Sequence, residues 1–199
     1  LRMLAHYMND PEYTRELLEG DIHTLNMIAA GLTSRNQAKT FIYAFLYGAG
    51  DALIGSIVNG TAADGKRLKA KFLKSLPALK DLIDRVKKAS RKGYIISLDG
   101  RRIPIRSEHA ALNSLLQSAG AIVMKRALVI LDQEAAMEGI DFNFVGNIHD
   151  EIQAEVKESH AETYGKIAVE AVVRAGKFYE MRCPLDAEYK VGNSWAETH

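Results

Sequence analysis

The sequence predicts an α+β fold, rich in helix and carrying an antiparallel sheet. Two observations predict it. A succession of capped segments reads as helices over most of the chain. Two pairs of short apolar runs, at 94–105 and 142–156, close on tight connections and read as antiparallel strand pairs. The elements follow in order. Gly20-Asp21 opens a helix that reaches about Ala30, and Gly31 stops it. Thr33-Ser34 caps a helix over 35–47, which Gly48-Ala49-Gly50 ends. A short helix over 51–58 is broken by Asn59-Gly60. Two basic helices cover about 64–75 and 77–91, the second with Pro77 at an allowed first-turn position. Asp99-Gly100 makes the turn of a hairpin between 94–98 and 102–105. A long helix covers about 108–138. Its small residues Ser118, Ala119, Gly120 and Ala121 suit close approach to something flat, and Gly139 ends it. The second pair, 142–148 and 152–156, is joined by His149-Asp150-Glu151. A helix over 159–178 and a strand over 185–191 complete the reading. Two regions are expected, a helical one over 1–92 and a mixed one over 93–199.

Composition narrows the classes. Of 199 residues, 47% are hydrophobic and 26% charged, as in ordinary globular chains. No apolar run approaches the roughly 20 residues of a membrane span, so no membrane partner is expected. The start, Leu1-Arg2-Met3-Leu4-Ala5-His6-Tyr7, lacks the signal-peptide pattern and an initiator methionine, so a longer native chain is expected. Cys183 is the single cysteine, which excludes an internal disulfide and a thiolate metal cluster and fits a cytoplasmic location. It reads as a small core residue. Net charge is only +1, but residues 64–92 hold eleven Lys/Arg against three Asp. That local balance of +8 leaves −7 elsewhere. A basic segment on a slightly acidic body suits nucleic acid, and a solvated helix face explains it equally well.

Three constellations carry chemistry. In the first, Arg35, Lys39, Tyr43 and Tyr47 recur every four residues and form one stripe on one helix. Two cations and two rings suit a polyanion that carries a base. Ile42, Phe45 and Leu46 already supply a core face, which leaves the stripe for another task. In the second, Asp150 and Glu151 place adjacent carboxylates at a hairpin tip, which is unfavourable unless a cation neutralises them. Hard oxygen ligands there suit Mg²⁺. In the third, His109, Asn113 and Gln117 are spaced four apart on the long helix, downstream of Arg102. A polar helix face explains any one of these residues, but less readily the ordered set.

The segment RNQAKTFIYAFLYGAG from Arg35 resembles the nucleotide-gripping fingers helix of family A DNA polymerases. Asp21-Ile22-His23 resembles that family's DIH, and VGNIHDEI at 145–152 its metal-binding hairpin. LDGRRIPIRSEHAALNSLLQSAGAI resembles its primer–template-lining hairpin and helix. The resemblance covers nearly the whole chain. It implies the fingers and much of the palm of a right-hand polymerase, without thumb or exonuclease domain. It implies template-directed DNA synthesis with two Mg²⁺ ions, dNTP and primer–template DNA as partners. His23, Arg35, Lys39 and Tyr43 would bind the nucleotide. Tyr47, Arg102, His109, Asn113, Gln117 and His149 would touch template or primer. Asp150 and Glu151 would hold metal, and with Lys39 serve catalysis. Tyr at position 43 and the terminal His199 resemble the bacteriophage enzymes, which places the protein in a bacterium or an infected host cell. Leu1-Arg2 resembles the end of the segment that supplies the family's other metal-binding Asp. An N-terminal partner carrying that acid is therefore expected, and the isolated chain is expected to be inactive. The alternative is a non-catalytic module that binds nucleotide or primer–template. Trp195 reads as structural, and His6 and His160 as surface or packing residues.

Overall fold

A computed structural model describes residues 1–198; the expectation for His199 lies outside the described residues. The chain divides into two compact units, 1–117 and 118–199. The sequence boundary at 92/93 falls earlier, because the hairpin at 94–104 stays with the helices before it.

The first unit begins with two helices that the sequence reading left unassigned, α1 (Arg2–Met8) and α2 (Pro11–Glu19). The signal for α2 was present. Asp10 caps it by accepting from the Glu12 and Tyr13 amides, and Pro11 occupies its first turn. Next come α3 (Ile22–Ala30), α4 (Arg35–Leu46), α5 (Asp51–Ser56), α6 (Ala62–Ser75) and α7 (Pro77–Ser90). Asp21 and Ser34 cap α3 and α4 as expected, and Gly31 ends α3 in the left-handed region at φ 72°. Helix α6 starts earlier than the charge pattern implied, because Thr61 and Asp64 form a reciprocal capping box.

The core of this unit gathers Leu4, Tyr13, Phe41, Ile42, Ile54, Phe72 and Leu79, all essentially solvent-free. Phe41 and Phe72 meet edge to face at 5.0 Å between ring centroids. Helices α5 and α6 interlock through glycines. A Cβ on Gly55 would overlap the Thr61 carbonyl, and one on Gly65 the Asp51 carbonyl. Lys69 Nζ reaches across to Asp51 Oδ1 at 2.9 Å and to the Ala49 carbonyl at 2.5 Å, tying α6 to the exit of α4. Strands β1 (Tyr94–Ile96) and β2 (Arg102–Pro104) pair antiparallel about the Asp99-Gly100 turn.

The long helix α8 (Ala111–Met137) follows a 3₁₀ turn over Glu108–Ala110. Sequence spacing placed His109 inside the α-helix; it lies in that turn instead. By length and hydropathy the stretch Glu108–Met137 could cross a membrane, contrary to the expectation that no run is apolar enough. Here its apolar stripe, including Leu115, Ala119, Val123, Ala127 and Leu131, is buried in the fold.

In the second unit β3 (Phe142–Ile148) and β4 (Glu151–Val156) form an antiparallel hairpin. The ladder carries a bulge. Phe144 pairs with Ala154 and Gly146 with Gln153, so Val145 is one residue more than the partner strand holds. Helix α9 (Ala161–Phe178) follows a second 3₁₀ turn, and α10 (Trp195–Thr198) ends the described chain.

The strand expected at 185–191 is absent; that segment has no regular structure. Cys183 and Leu185 are buried and Ala187 half-buried, the alternation that read as a strand. The extended segment docks on α9 instead of on a strand. A Cβ on Gly165 would overlap the Tyr189 ring, and one on Gly176 would crowd Leu185. The Tyr189 hydroxyl donates to Glu162 Oε2 at 2.7 Å. Cys183 is fully buried, as its reading as a core residue required.

Candidate active site

Helix α4 separates its two faces cleanly. Ala38, Phe41, Ile42 and Leu46 are buried, and Phe45 is half-buried. Arg35, Lys39, Tyr43 and Tyr47 are exposed, Tyr47 by 64%. A generic amphipathic helix would bury its rings and leave its cations in water. Here the rings stay with the cations, at a cost in exposed apolar surface that packing does not explain.

The start of α3 lies beside the first cation. Arg35 Nε donates to Asp21 Oδ2 at 2.8 Å. Asp21 also accepts from the His23 and Thr24 amides and from the Thr24 hydroxyl. The Arg35 bond first, then the Thr24 hydroxyl, hold its carboxyl well below the usual carboxylate range. His23 is half-buried, and its Nδ1 has no hydrogen-bond partner among the described residues. Burial, followed by the charge of Arg35, pushes the imidazole pKa down. His23 is therefore neutral near pH 7. A helix N-terminus, a neutral imidazole, a guanidinium and an ammonium thus lie on neighbouring elements, a chemistry suited to phosphate oxygens.

The exit of α4 meets the third constellation. Gln117 Nε2 donates to the Tyr47 hydroxyl at 2.9 Å. Gly48, at φ 78°, brings its Cα close to the His109 carbonyl, where a Cβ would stand at 3.2 Å. His109 and Gln117 are exposed and Asn113 half-buried, all off the buried stripe of Leu112, Leu115 and Ala119. Arg102 lies 4.7 Å from the Tyr94 ring centroid, with Lys92 at 4.5 Å. These two cations share one ring, an exposed basic patch on the hairpin.

In the second unit the β3–β4 hairpin turns through two residues, His149 and Asp150, between the Ile148–Glu151 pair. His149 takes the left-handed conformation at φ 57°, which a side chain other than glycine adopts at a cost. Asp150 is exposed and has no hydrogen-bond or ion-pair partner among the described residues. Glu151 is half-buried and differently placed. Its Oε1 accepts from Gln153 Nε2 at 2.5 Å and from Trp195 Nε1 at 3.0 Å. The sequence reading treated the two carboxylates alike and Trp195 as structural. The indole N–H on Glu151 was not legible, because 44 residues separate the partners.

Comparison with known proteins settles the family. The model of DNA polymerase family A matches residues 1–197. The chain belongs to DNA polymerase family A. It is 42% identical to the DNA-directed DNA polymerase of Enterobacteria phage T3 and 41% identical to that of Escherichia phage T7. Each match covers all of this chain and 32% of the relative. DNA polymerase I of Aquifex aeolicus is 29% identical over 99% of this chain and 38% of its own length. The chain thus spans about a third of the curated relatives it matches. In structure it resembles the POL domain of Pol1 from M. smegmatis, solved in complex with DNA primer-template and dNTP. The TM-score is 0.81 over 93% of this chain and 36% of that one, at 23% identity. The fold is therefore the helix-rich α+β fold of a family A polymerase domain, present in part, and related to the phage enzymes.

The residues present fit a hard divalent cation only in part. Asp150 offers an unengaged carboxylate, the ligand type Mg²⁺ prefers. No group of three or more His, Cys, Asp or Glu able to hold a metal occurs among the described residues.

Proposed function

We propose that this chain supplies the nucleotide-gripping face and one metal-binding carboxylate of a template-directed DNA polymerase. The observation that carries this is the exposed Arg35–Lys39–Tyr43–Tyr47 stripe on α4, opposite a complete core face, in a family A chain. Arg35 and Lys39 bind the triphosphate of the incoming dNTP, and His23, neutral near pH 7, hydrogen-bonds it. The cations offset charge that develops on the leaving pyrophosphate, as positioning and electrostatics dominate phosphoryl transfer. The Tyr43 ring packs against sugar and base, and Tyr47 stands beside the nascent pair. Arg102, His109, Asn113, Gln117 and His149 contact primer–template. Residues 1–92 act as fingers and 93–199 as palm. Asp150 would hold Mg²⁺, with Glu151 beside it. Two Mg²⁺ ions in the intact enzyme would activate the primer 3′-hydroxyl and stabilise the leaving group.

At this turn, one unengaged carboxylate among the described residues under-ligates two cations. We infer that a further polypeptide segment brings the second Asp, and that this chain alone extends primers poorly or not at all. We further propose placement in the cytoplasm of a bacterium or an infected host cell. The test is primer extension with Mg²⁺ and four dNTPs, by the chain alone and with a fragment that carries the second Asp. Extension only with the fragment is the expected result. The lone carboxylate also favours a second reading, a nucleotide or primer–template binding module. DNA binding without extension in either mixture would select it.

A further inference from the structure

The tail helix α10 is fastened to the metal-type hairpin at two points. Trp195, its first residue, donates through Nε1 to Glu151 Oε1 at 3.0 Å. Thr198, its last, donates through its hydroxyl to Gln153 Oε1 at 3.4 Å. Glu151 and Gln153 are two apart on β4 and so share one face of the strand. They are also bonded to each other, Gln153 Nε2 to Glu151 Oε1. The entry to α10 is braced locally, where Glu197 Oε2 accepts from the Asn193 amide at 2.7 Å. Trp195 is half exposed, so its ring is not buried as a core residue would be. Its one polar atom nevertheless finds the carboxylate next to Asp150.

We propose that Trp195 is a positioning residue for the metal-type hairpin, its indole N–H holding the Glu151 carboxylate so that Asp150 alone faces the cation. The inference deepens the polymerase reading and rests on it for the identity of the cation. Two adjacent carboxylates repel. Two neutral donors on one oxygen of Glu151 offset that repulsion, and they fix the side chain at the root of the turn. Hydrogen bonds to an ionised acceptor are the stronger kind, so the clasp is expected to matter although it is partly wet. Without the indole, Glu151 keeps the Gln153 donor but loses the one supplied by the tail, and is held less firmly away from Asp150.

Trp195 is the sole tryptophan, so its emission reports the contact directly in the full 199-residue chain. Glu151→Ala should shift the Trp195 emission, while Glu151→Gln, which keeps an acceptor oxygen, should restore it. Trp195→Phe keeps a ring but loses the N–H. In the reconstituted extension assay it should raise the Mg²⁺ concentration needed for half-maximal rate by roughly tenfold, with the dNTP KM unchanged. Loss of an outer hydrogen bond costs a metal site about 10–100-fold. Emission that is identical in wild type and Glu151→Ala would overturn the clasp, whatever the extension result. An unchanged Mg²⁺ requirement in Trp195→Phe would overturn its positioning role. Emission behaving as expected in a chain that never supports extension would retain the clasp and remove the polymerase reading.

Discussion

Replacing Gly65 with alanine tests the glycine interlock between α5 and α6. In an isolated helix the change is favourable by about 1 kcal/mol. In this fold the new methyl would overlap the Asp51 carbonyl and crowd the Gly55 amide nitrogen. Both are backbone atoms and cannot swing aside, so α5 and α6 must separate. Overpacking of this kind costs about 1–3 kcal/mol, and rigid neighbours place it at the upper end. The net expectation is a loss of about 2 kcal/mol. Urea unfolding followed by far-ultraviolet circular dichroism should show the midpoint falling by about 1 M, given a slope of about 1–3 kcal/mol per molar. Gly120 is the internal contrast. It also lies within a helix, but nothing stands within 4 Å of its added Cβ. Gly120→Ala should stabilise by up to about 1 kcal/mol. If Gly65→Ala matched Gly120→Ala in sign, the glycine interlock would not exist and the Lys69 bridge would have to hold α6 by itself.

Other perturbations address the chemistry. Asp150→Ala should abolish extension by the reconstituted polymerase while primer–template binding, followed by gel shift, stays largely intact; surviving extension would mean the metal hairpin is misassigned. Tyr43→Phe should lower dideoxynucleotide incorporation with little effect on ordinary nucleotides, and equal use by both proteins would remove the role given to that hydroxyl. Asp21 has its pKa lowered from 3.8 by Arg35 and Thr24. Its contribution is complete above that value and is lost as pH falls through the lower folded value. Asp21→Asn still caps α3 but cannot form the ion pair. The stability gap between the two proteins should therefore hold above 3.8 and narrow steadily as pH falls below it; a gap independent of pH would contradict the pairing.

Where local chemistry decides structure, the sequence was a good guide. Asp21, Gly31, Ser34 and Asp99-Gly100 each satisfy or reverse backbone groups within a few residues, and their elements stand where the signals placed them. The cation–aromatic stripe was equally legible, because four-residue spacing and a helix suffice to align it. Distant partners defeated the reading. The period-two burial around Leu185 is the mark of an extended chain, and nothing in it tells a strand from a segment laid in glycine notches on a helix. Arg35 and Asp21 are 14 residues apart, and Trp195 and Glu151 are 44 apart. Such bonds exist only once the chain has folded, so Asp21 read as a cap and Trp195 as filler. The missed helices α1 and α2 are a different failure, since the Asp10-Pro11 signal was there to be used.

Val145 is 71% exposed and pairs with nothing across the hairpin. By its contacts it is dispensable, and a scan that swapped it for other residues would find little. Yet β3 reaches the turn one residue longer than the strand it runs beside, and a bulge of this kind bends and twists the strand that carries it, here the strand that leads to Asp150. The aim of the carboxylate is set by a count rather than by a contact. Removing Val145 would leave every pair in the ladder intact and still turn the tip of the hairpin.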